Sequence, residues 1–308
     1  MARKRHGDRL HGWLVIDKGL NITSAKAVSK AQNILNAAKV GHSGTLDPLA
    51  TGVLPLAFGE ATKTISYLMD AKKEYSFTVC WGEARDTDDT EGVVTARNSV
   101  RPTEADIEAA LPNFIGNIQQ VPPIYSAVKV EGERAYKLAR ENKFFELKPR
   151  SILIDQFKLI DMPDQDHASF EVTSGKGAYI RGLARDIARH MGAFGHVSKL
   201  RRTRVGPFCE SNAILLDHLE KLGHKETAAD ILRPVETALD DIPALALTED
   251  EARRLRCGQS ISALQVAKRI PLTEIDQGAI ICAMASGKVV ALAKLKGIEI
   301  CPFRVLNF

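Results

Sequence analysis

Apolar and polar positions alternate along the chain with two different periods. Residues 12–18 form a short apolar run ending in Asp17-Lys18 and read as a buried strand. Residues 24–35 place Ala25, Val28, Ala31 and Ile34 at helical spacing behind the capping stretch Asn21-Ile22-Thr23-Ser24. A helix is also expected over 61–68. Residues 75–81 alternate and are rich in β-formers, so they read as a strand. Residues 103–111 start with Thr103 and Asp106, a weaker form of the capping box, and predict a helix. A charged helix over 133–142 and an exposed basic return over 143–150 follow, and then a strand pair over 152–160 and 168–173. The pattern next gives a helix over 180–191 and a strand over 197–206 with one basic face. Past 215 come mixed helices and a junction at Asp241-Ile242-Pro243. The texture then changes to a short helix over 249–255 and strands over 279–283, 289–294 and 303–305. Mixed helices and strands in this order make an α+β chain, with a large unit over 1–243 and a small β unit over 244–308.

Composition narrows the function classes. The chain has 308 residues, enough for one large domain or two, and its 44% apolar content is that of an ordinary globular protein. No stretch reaches the ~20 apolar residues needed to cross a membrane. The basic start, including Arg3-Lys4-Arg5-His6, leads into no long apolar run, so it reads as a solvated tail rather than a secretory signal. Net charge is +4, from 42 basic and 38 acidic residues, too small an excess to name a nucleic-acid partner by itself. The five cysteines are scattered, which suggests neither disulfides nor zinc but free thiols in a reducing cytoplasm. The acidic turn over 82–92 looks like a calcium loop, yet Thr90 and Glu91 stand where EF-hand spacing requires a ligand and then glycine. The glycines around Lys176 lack Walker A spacing. No metal and no cofactor is expected.

The densest chemistry is in residues 41–54, Gly-His-Ser-Gly-Thr-Leu-Asp-Pro-Leu-Ala-Thr-Gly-Val-Leu. Gly41 and Gly44 permit backbone angles that a side chain would forbid, and Pro48 restricts Asp47 to extended conformations. On local pattern alone Asp47 caps a helix starting at Pro48. Against that, Leu46, Leu49, Val53 and Leu54 surround the carboxylate with apolar side chains, a costly arrangement unless a partner or a reaction requires it.

The stretch Gly44-Thr45-Leu46-Asp47-Pro48-Leu49-Ala50-Thr51-Gly52-Val53-Leu54, continued by Gly59-Glu60-Ala61-Thr62-Lys63, resembles the catalytic motif of the bacterial tRNA pseudouridine-55 synthases (TruB type), a pseudouridine synthase family. Residues 17–24 resemble its first motif, with Gly19 and Asn21 in place of proline and glycine. Asp86, Thr87, Asp89 and Gly92 fit its acidic motif, with Arg85 in place of threonine. Lys176, Gly177, Tyr179, Ile180 and Arg181 fit another, with Ala178 departing, and Leu200-Arg201-Arg202 resembles a motif of the active-site wall. The resemblance implies a pseudouridine synthase fold: a mixed, largely antiparallel central sheet flanked by helices and loops, plus a small C-terminal PUA-like β-barrel that binds RNA.

It also implies an activity. Such enzymes isomerise uridine to pseudouridine in the TΨC loop of tRNA without a guide RNA, after flipping the base out of the stack. Asp47 occupies the place of the essential aspartate, acting as nucleophile or as base towards the ribose. Tyr75 would stack under the uracil and take part in proton transfer; the local pattern reads it equally well as a cross-strand aromatic. Arg181 would be the counter-charge to Asp47. His42 would stack within the reordered RNA loop, although a lone histidine is more often structural. Lys18, Lys63, Lys129, Lys176, Tyr179, Leu200, Arg201 and Arg202 complete the expected RNA contacts. The insertion over 122–150 corresponds to a thumb that clamps the stem-loop, with Arg134, Lys137, Arg140, Lys143, Lys148 and Arg150 on phosphates. A cytoplasmic monomer with tRNA as its partner and no obligatory protein partner is expected. Three other readings compete: a noncatalytic RNA-binding module, which the intact Asp47, Tyr75 and Arg181 set disfavours; a guide-dependent synthase, disfavoured by the thumb spacing and the short C-terminal unit; and a metal-dependent RNA hydrolase, for which no ligand set appears.

Overall fold

The computed structural model describes residues 7–222, 228–270 and 276–308; the basic stretch Arg3-Lys4-Arg5-His6 lies outside them. Strand β1 (Gly12–Lys18) is buried except at Asp17. Asn21 takes φ 59° in the turn after it, the left-handed geometry that asparagine tolerates. Helix α1 (Ser24–Ile34) follows, with Thr23 accepting the Lys26 N–H at 3.1 Å as its cap. Strands β2 (Val40–His42) and β3 (Ala50–Phe58) flank the loop that carries Asp47. The helix expected over 61–68 is two pieces, a 3-10 turn over Gly59–Lys63 and helix α2 (Ile65–Asp70). The Thr64 hydroxyl donates back to the Ala61 carbonyl at 2.9 Å where they meet. Strand β4 (Lys73–Trp81) alternates residue by residue between buried and half-buried, as its period predicts.

Strands β5 (Glu83–Arg85) and β6 (Val94–Arg97) form a hairpin around the acidic turn. Helix α3 (Glu104–Ala110) starts with a complete capping box between Thr103 and Asp106. Strand β7 (Gly116–Gln120) leads into the 122–150 segment, where β8 (Lys129–Val130) and β9 (Glu133–Arg134) make a ribbon before helix α4 (Ala135–Arg140). Then come β10 (Arg150–Asp164), β11 (His167–Ser174), α5 (Ile180–His190), β12 (Gly195–Val205), β13 (Phe208–Cys209), β14 (Ile214–Leu215), α6 (Leu216–Leu222) and α7 (Ala228–Ile231).

The main sheet runs β14-β1-β3-β12-β4-β11-β10-β7, with β2 on β3 and β13 on β12. Among the described strands of this sheet, β1–β14 and β3–β12 pair in parallel and the other neighbours are antiparallel. The β3–β12 junction sets the site. Gly52 pairs with Arg202, and Arg202 pairs with Tyr75 on β4, so the three lie in line across the sheet. Gly52 has φ +100°, and a Cβ there would stand 2.2 Å from the Arg202 carbonyl oxygen, so only glycine fits. One core packs α3 and α5 (Ile107, Leu183, Ile187) on Phe77, Phe157 and Phe170; the Phe77 and Phe170 rings stack 5.3 Å apart. A second buries Ala27 and Ala31 of α1 against Leu14, Ile16, Leu54 and Leu56.

β12 differs from the strand expected with one basic face. Arg202 points inward and is buried, whereas a bulge between Arg202 and Arg204 leaves Arg204 exposed beside Lys199 and Arg201. A second sheet begins at Ala244. Strand β15 (Ala244–Ala246), helix α8 (Glu249–Arg256), β16 (Ile261–Ser262), α9 (Ala263–Ala267), β17 (Ile280–Ala285), β18 (Lys288–Lys296) and β19 (Glu299–Val305) form it, in strand order β15-β17-β18-β19-β16. This is a PUA-like unit, a curled half-barrel. Its Val289, Leu292 and Leu306 share an apolar cluster with Trp13, Val205 and Phe208 of the main sheet. Among the described residues no helix is long and apolar enough to cross a membrane.

Candidate active site

Asp47 caps no helix. After Pro48 the chain makes a single turn, with the Ala50 N–H on the Asp47 carbonyl at 3.1 Å, and enters β3. The apolar residues 50–58 are better buried as a strand, paired with β1 from Gly52 to Phe58, than as the helix an Asp-Pro pair allows. Gly44 takes φ +129°, while Gly41 sits in ordinary strand geometry on β2. The loop is tied from several sides. Ser24 Oγ accepts the Leu46 N–H at 2.8 Å and donates to its carbonyl at 3.0 Å. Arg202 Nε donates to the Val53 carbonyl at 2.8 Å and Nη2 to the Gly44 carbonyl at 3.2 Å. Lys18 Nζ donates to the carbonyls of Gly19 and Ile22 at 2.8 Å and of Pro48 at 3.3 Å.

One guanidinium joins this loop to the acidic turn. Arg181 Nη2 lies 2.8 Å from Asp47 Oδ2, and Nη1 lies 3.4 Å from Asp89 Oδ2. Nη1 also donates to the Thr87 carbonyl at 2.6 Å, and Nη2 to the Tyr125 carbonyl at 2.9 Å. The Arg181 and Asp89 side chains are each 7% exposed, whereas Asp47 is 43% exposed and opens onto a cavity. That cavity, about 610 Å³, is also lined by Lys73, Tyr75, Tyr179, Leu200 and Tyr136. It holds a carboxylate beside a fixed cation, phenols and apolar walls, a set able to engage a flat heterocycle attached to a sugar.

The flanking cations are strongly perturbed. Burial brings Lys18 down to about 8, with Arg202 acting in the same sense and Asp47 against it. Burial likewise brings Lys73 to about 8; its ammonium donates to the Met69 and Ala71 carbonyls at 2.7 and 2.6 Å. Arg202 is pushed down by burial and held up by the Tyr75 phenol it meets. Burial and then Arg202 lower His42, whose Nδ1 accepts the Gly44 N–H at 3.3 Å. Burial raises the Tyr179 phenol.

The structure brings Asp47, Tyr75, Tyr179, Arg181, Leu200 and Arg202 to one cavity, which Arg140 of the 122–150 segment also lines. The other expected residues are dispersed. Lys18 is inside the protein, where, like the buried Arg202, it holds main-chain carbonyls. Arg201 is engaged by Asp17 at 2.8 Å and by Glu210. Lys63 is drawn to Glu60 at 2.6 Å and to the Val305 carbonyl at 2.7 Å, against the PUA-like unit. Lys176 is exposed, 2.9 Å from Asp70, and Lys129 is exposed on β8. In the 122–150 segment, Lys137 and Lys143 meet Glu133 and Glu141 at 3.1 and 2.8 Å, and Arg140 lies 5.7 Å over the Tyr136 ring. The aspartates of the turn over 82–92 are occupied: Asp86 by the Val93 N–H, Asp89 by the Thr87 hydroxyl and the Glu91 N–H, Asp88 by Arg185. No cluster of metal-binding side chains occurs among the described residues. Sequence reasoning missed Lys73 and Arg185. Arg185 was open to discovery, since four residues along a helix put it on the face of Arg181.

Comparison with known proteins gives consistent results. The family described as "TruB family pseudouridylate synthase (N terminal domain)" matches residues 32–180, and the "tRNA pseudouridylate synthase B C-terminal domain" matches residues 181–240. The tRNA pseudouridine synthase B of Rhodospirillum rubrum is 54% identical over 307 residues, covering 100% of both chains. That of Caulobacter vibrioides is 49% identical over 308 residues, covering 100% of this chain and 99% of the relative. Among solved structures, a chain of a Cbf5-Nop10-Gar1 complex superposes with a TM-score of 0.73 at 26% identity, covering 96% of this chain and 84% of that one.

Proposed function

The chain belongs to the TruB family of tRNA pseudouridine synthases, isomerases that act on tRNA, and from that premise we propose that it converts the uridine at position 55 of the TΨC loop, without a guide RNA, through Asp47. The observation that carries the reading is the Asp47 carboxylate, 2.8 Å from Arg181 and open to a cavity that Tyr75 also lines. Extruding the base costs a few kcal/mol, and an aromatic face returns roughly 1–3 kcal/mol of it. The N1–C1′ bond breaks, the freed uracil turns, C5 bonds to C1′, and C5 loses its proton while N1 gains one, which restores aromaticity. The isomerisation needs no net donor of electrons or water.

In this reading Arg181 holds Asp47 towards the sugar, and its contacts to Thr87 and Tyr125 keep it from rotating away. Asp47 acts either on C1′ as a nucleophile or on the ribose C2′ proton as a base, and both routes use the same orientation. Tyr75 underlies the uracil and takes part in the C5 proton transfer. His42 and the thumb serve RNA binding, and the PUA-like unit from residue 244 is a separate RNA-binding domain on a monomeric enzyme. The wholly matched relatives named for tRNA favour a guide-free enzyme over a guide-dependent one.

The test uses an unmodified tRNA transcript and maps pseudouridine along it. Wild type should yield pseudouridine at position 55, and Asp47→Asn should yield none while still binding tRNA with steeply salt-dependent affinity. Modification elsewhere, or by Asp47→Asn, would refute the reading.

A further inference from the structure

Helix α5 carries a second arginine one turn beyond Arg181, and the two make parallel bridges. Arg181 joins the acidic turn, through the Thr87 carbonyl and Asp89, to the Tyr125 carbonyl of the thumb root. Arg185 joins the same turn, through Asp88, to the Val121 carbonyl: Nη1 lies 2.9 Å from Asp88 Oδ2, and Nη2 donates to Val121 at 2.7 Å. The bridged carbonyls are four residues apart, as the arginines are, and Pro122-Pro123 stiffens the chain between them. Asp88 itself is held at φ 59°, uncommon for a residue with a side chain, and its carbonyl accepts the Val197 N–H of β12 at 3.0 Å. Its side chain is 11% exposed and that of Arg185 12%.

We infer that Asp88 and Arg185 are a positioning pair for catalysis: they lock the acidic turn and the thumb root onto α5, and so fix the carbonyls and carboxylate that aim Arg181 at Asp47. The inference rests on the catalytic reading of Asp47 given above.

The energetics distinguish this role from a purely structural one. Burial lifts the Asp88 carboxyl to about 6, outweighing the pull of Arg185, Arg181 and Arg189. In the unfolded chain this group ionises near the ordinary aspartate value of 3.8, so an ionised Asp88 costs the fold stability at neutral pH. Arg185 shifts the other way: burial works against its charge, but Asp186 and Asp88 raise it above the ordinary arginine range, so the disfavoured member of the pair is the Asp88 carboxylate. A carboxylate kept beside an arginine against the cost of its burial is the kind of group found at functional sites. The charged groups around Asp88 are Arg181, Arg185 and Arg189 of α5 and Asp89 on its own turn; His196 of β12, lowered by burial, faces Asp89 and Glu83. Arg185 retains Asp186 as a carboxylate partner at 2.9 Å when Asp88 is neutralised.

The experiment compares wild type, Asp88→Asn, Arg185→Lys and Asp47→Asn in single-turnover pseudouridine formation on an unmodified tRNA transcript, from about pH 5 to about pH 7.5, with tRNA affinity and melting temperature measured alongside. At pH 7.5 Asp88→Asn should melt at or above the wild-type temperature and react about tenfold more slowly, with its tRNA Kd within about threefold. The wild-type rate should fall as pH drops through about 6, and Asp88→Asn should lose that acid limb. Arg185→Lys, with one ammonium for three partners, should lose rate comparably. Three results would overturn the inference: a wild-type rate in Asp88→Asn, a loss of melting temperature that matches the loss of rate, or a loss in Kd alone. An active Asp47→Asn would instead sink the catalytic reading beneath it.

Discussion

Removing Arg181 should damage stability and turnover together, by amounts its surroundings set. Arg181→Ala strands two carboxylates in different ways. Asp47, 43% exposed, rehydrates, and its share of the loss is small. Asp89, 7% exposed, remains buried without its cation, and the Thr87 and Tyr125 carbonyls each lose a charged donor. Breaking a buried pair from one side costs about 3–5 kcal/mol, and with Asp47 discounted the lower figure of ~3 kcal/mol applies. At about 2 °C per kcal/mol for a large chain, the melting temperature should fall by roughly 6 °C. Turnover should fall further, by roughly 10²–10³, the usual loss of one preorganised electrostatic contact. Differential scanning fluorimetry reads the first number, and single-turnover pseudouridine formation with enzyme in excess, below the melting range, reads the second. Arg181→Lys keeps the charge but loses the planar fork, and should lie between wild type and Arg181→Ala on both axes. A melting temperature within about 1 °C and a rate within about twofold of wild type would refute the pairing as the organiser of the site.

The remaining predictions probe other parts of the molecule. Lys18 and Lys73 titrate at about 8 in the folded protein, against an ordinary lysine value of 10.5 in the unfolded chain. The folded chain therefore releases their protons first, and their contribution to stability rises between about pH 8 and 10.5. Lys73→Met should flatten that rise in a series of melting curves across pH; an unchanged slope would exclude Lys73 from it. His42 is lowered by burial and is neutral above its usual range, so His42→Ala should weaken tRNA binding or slow the reaction without abolishing it or altering the profile between about pH 7 and 8. Complete loss of activity would contradict an auxiliary role. Leu306, 2% exposed between the two sheets, should cost about 2–5 kcal/mol as Leu306→Ala, read by denaturant titration, and leave turnover per folded molecule unchanged.

The sequence made legible what local physics decides. The strict alternation of β4, the Thr103–Asp106 box of α3 and the caps before α1 are written in adjacent residues, and they appear as expected. The helix expected over 61–68 broke because Thr64 satisfies its own hydroxyl locally, which periodicity does not weigh. The Asp47-Pro48 cap failed for a tertiary reason: residues 52–58 had a strand partner about forty positions upstream, and the pairing outweighed the local turn preference. The basic residues were the least legible. Arg201 and Arg202 are adjacent, but pleating sends one to Asp17 and Glu210 and the other into the core. A run of like charges in sequence carries no information on which members find internal partners.

Those inward cations account for how an exposed carboxylate can be held still. The hydrogen bonds of Lys18 end on main-chain carbonyls, as do two from Arg202, which also meets the Tyr75 phenol. Their bonds to Gly44, Pro48 and Val53 grip the chain on both sides of Asp47. A charged donor makes a bond roughly twice as strong as a neutral one, and each of these groups offers several. A carboxylate partner would have neutralised the cation and drawn it away from the loop. With carbonyls as acceptors, the charge stays directed at the backbone beneath Asp47 while the side chain itself stays free to face the cavity. The lowered values of both cations measure what burial costs for this rigidity. A loop held only by its own turn would leave Asp47 to be oriented by Arg181 alone, and a single pair to a 43%-exposed carboxylate is a weak constraint. The site is therefore rigid because the backbone around Asp47 is fixed first, and the side-chain pair then selects its direction.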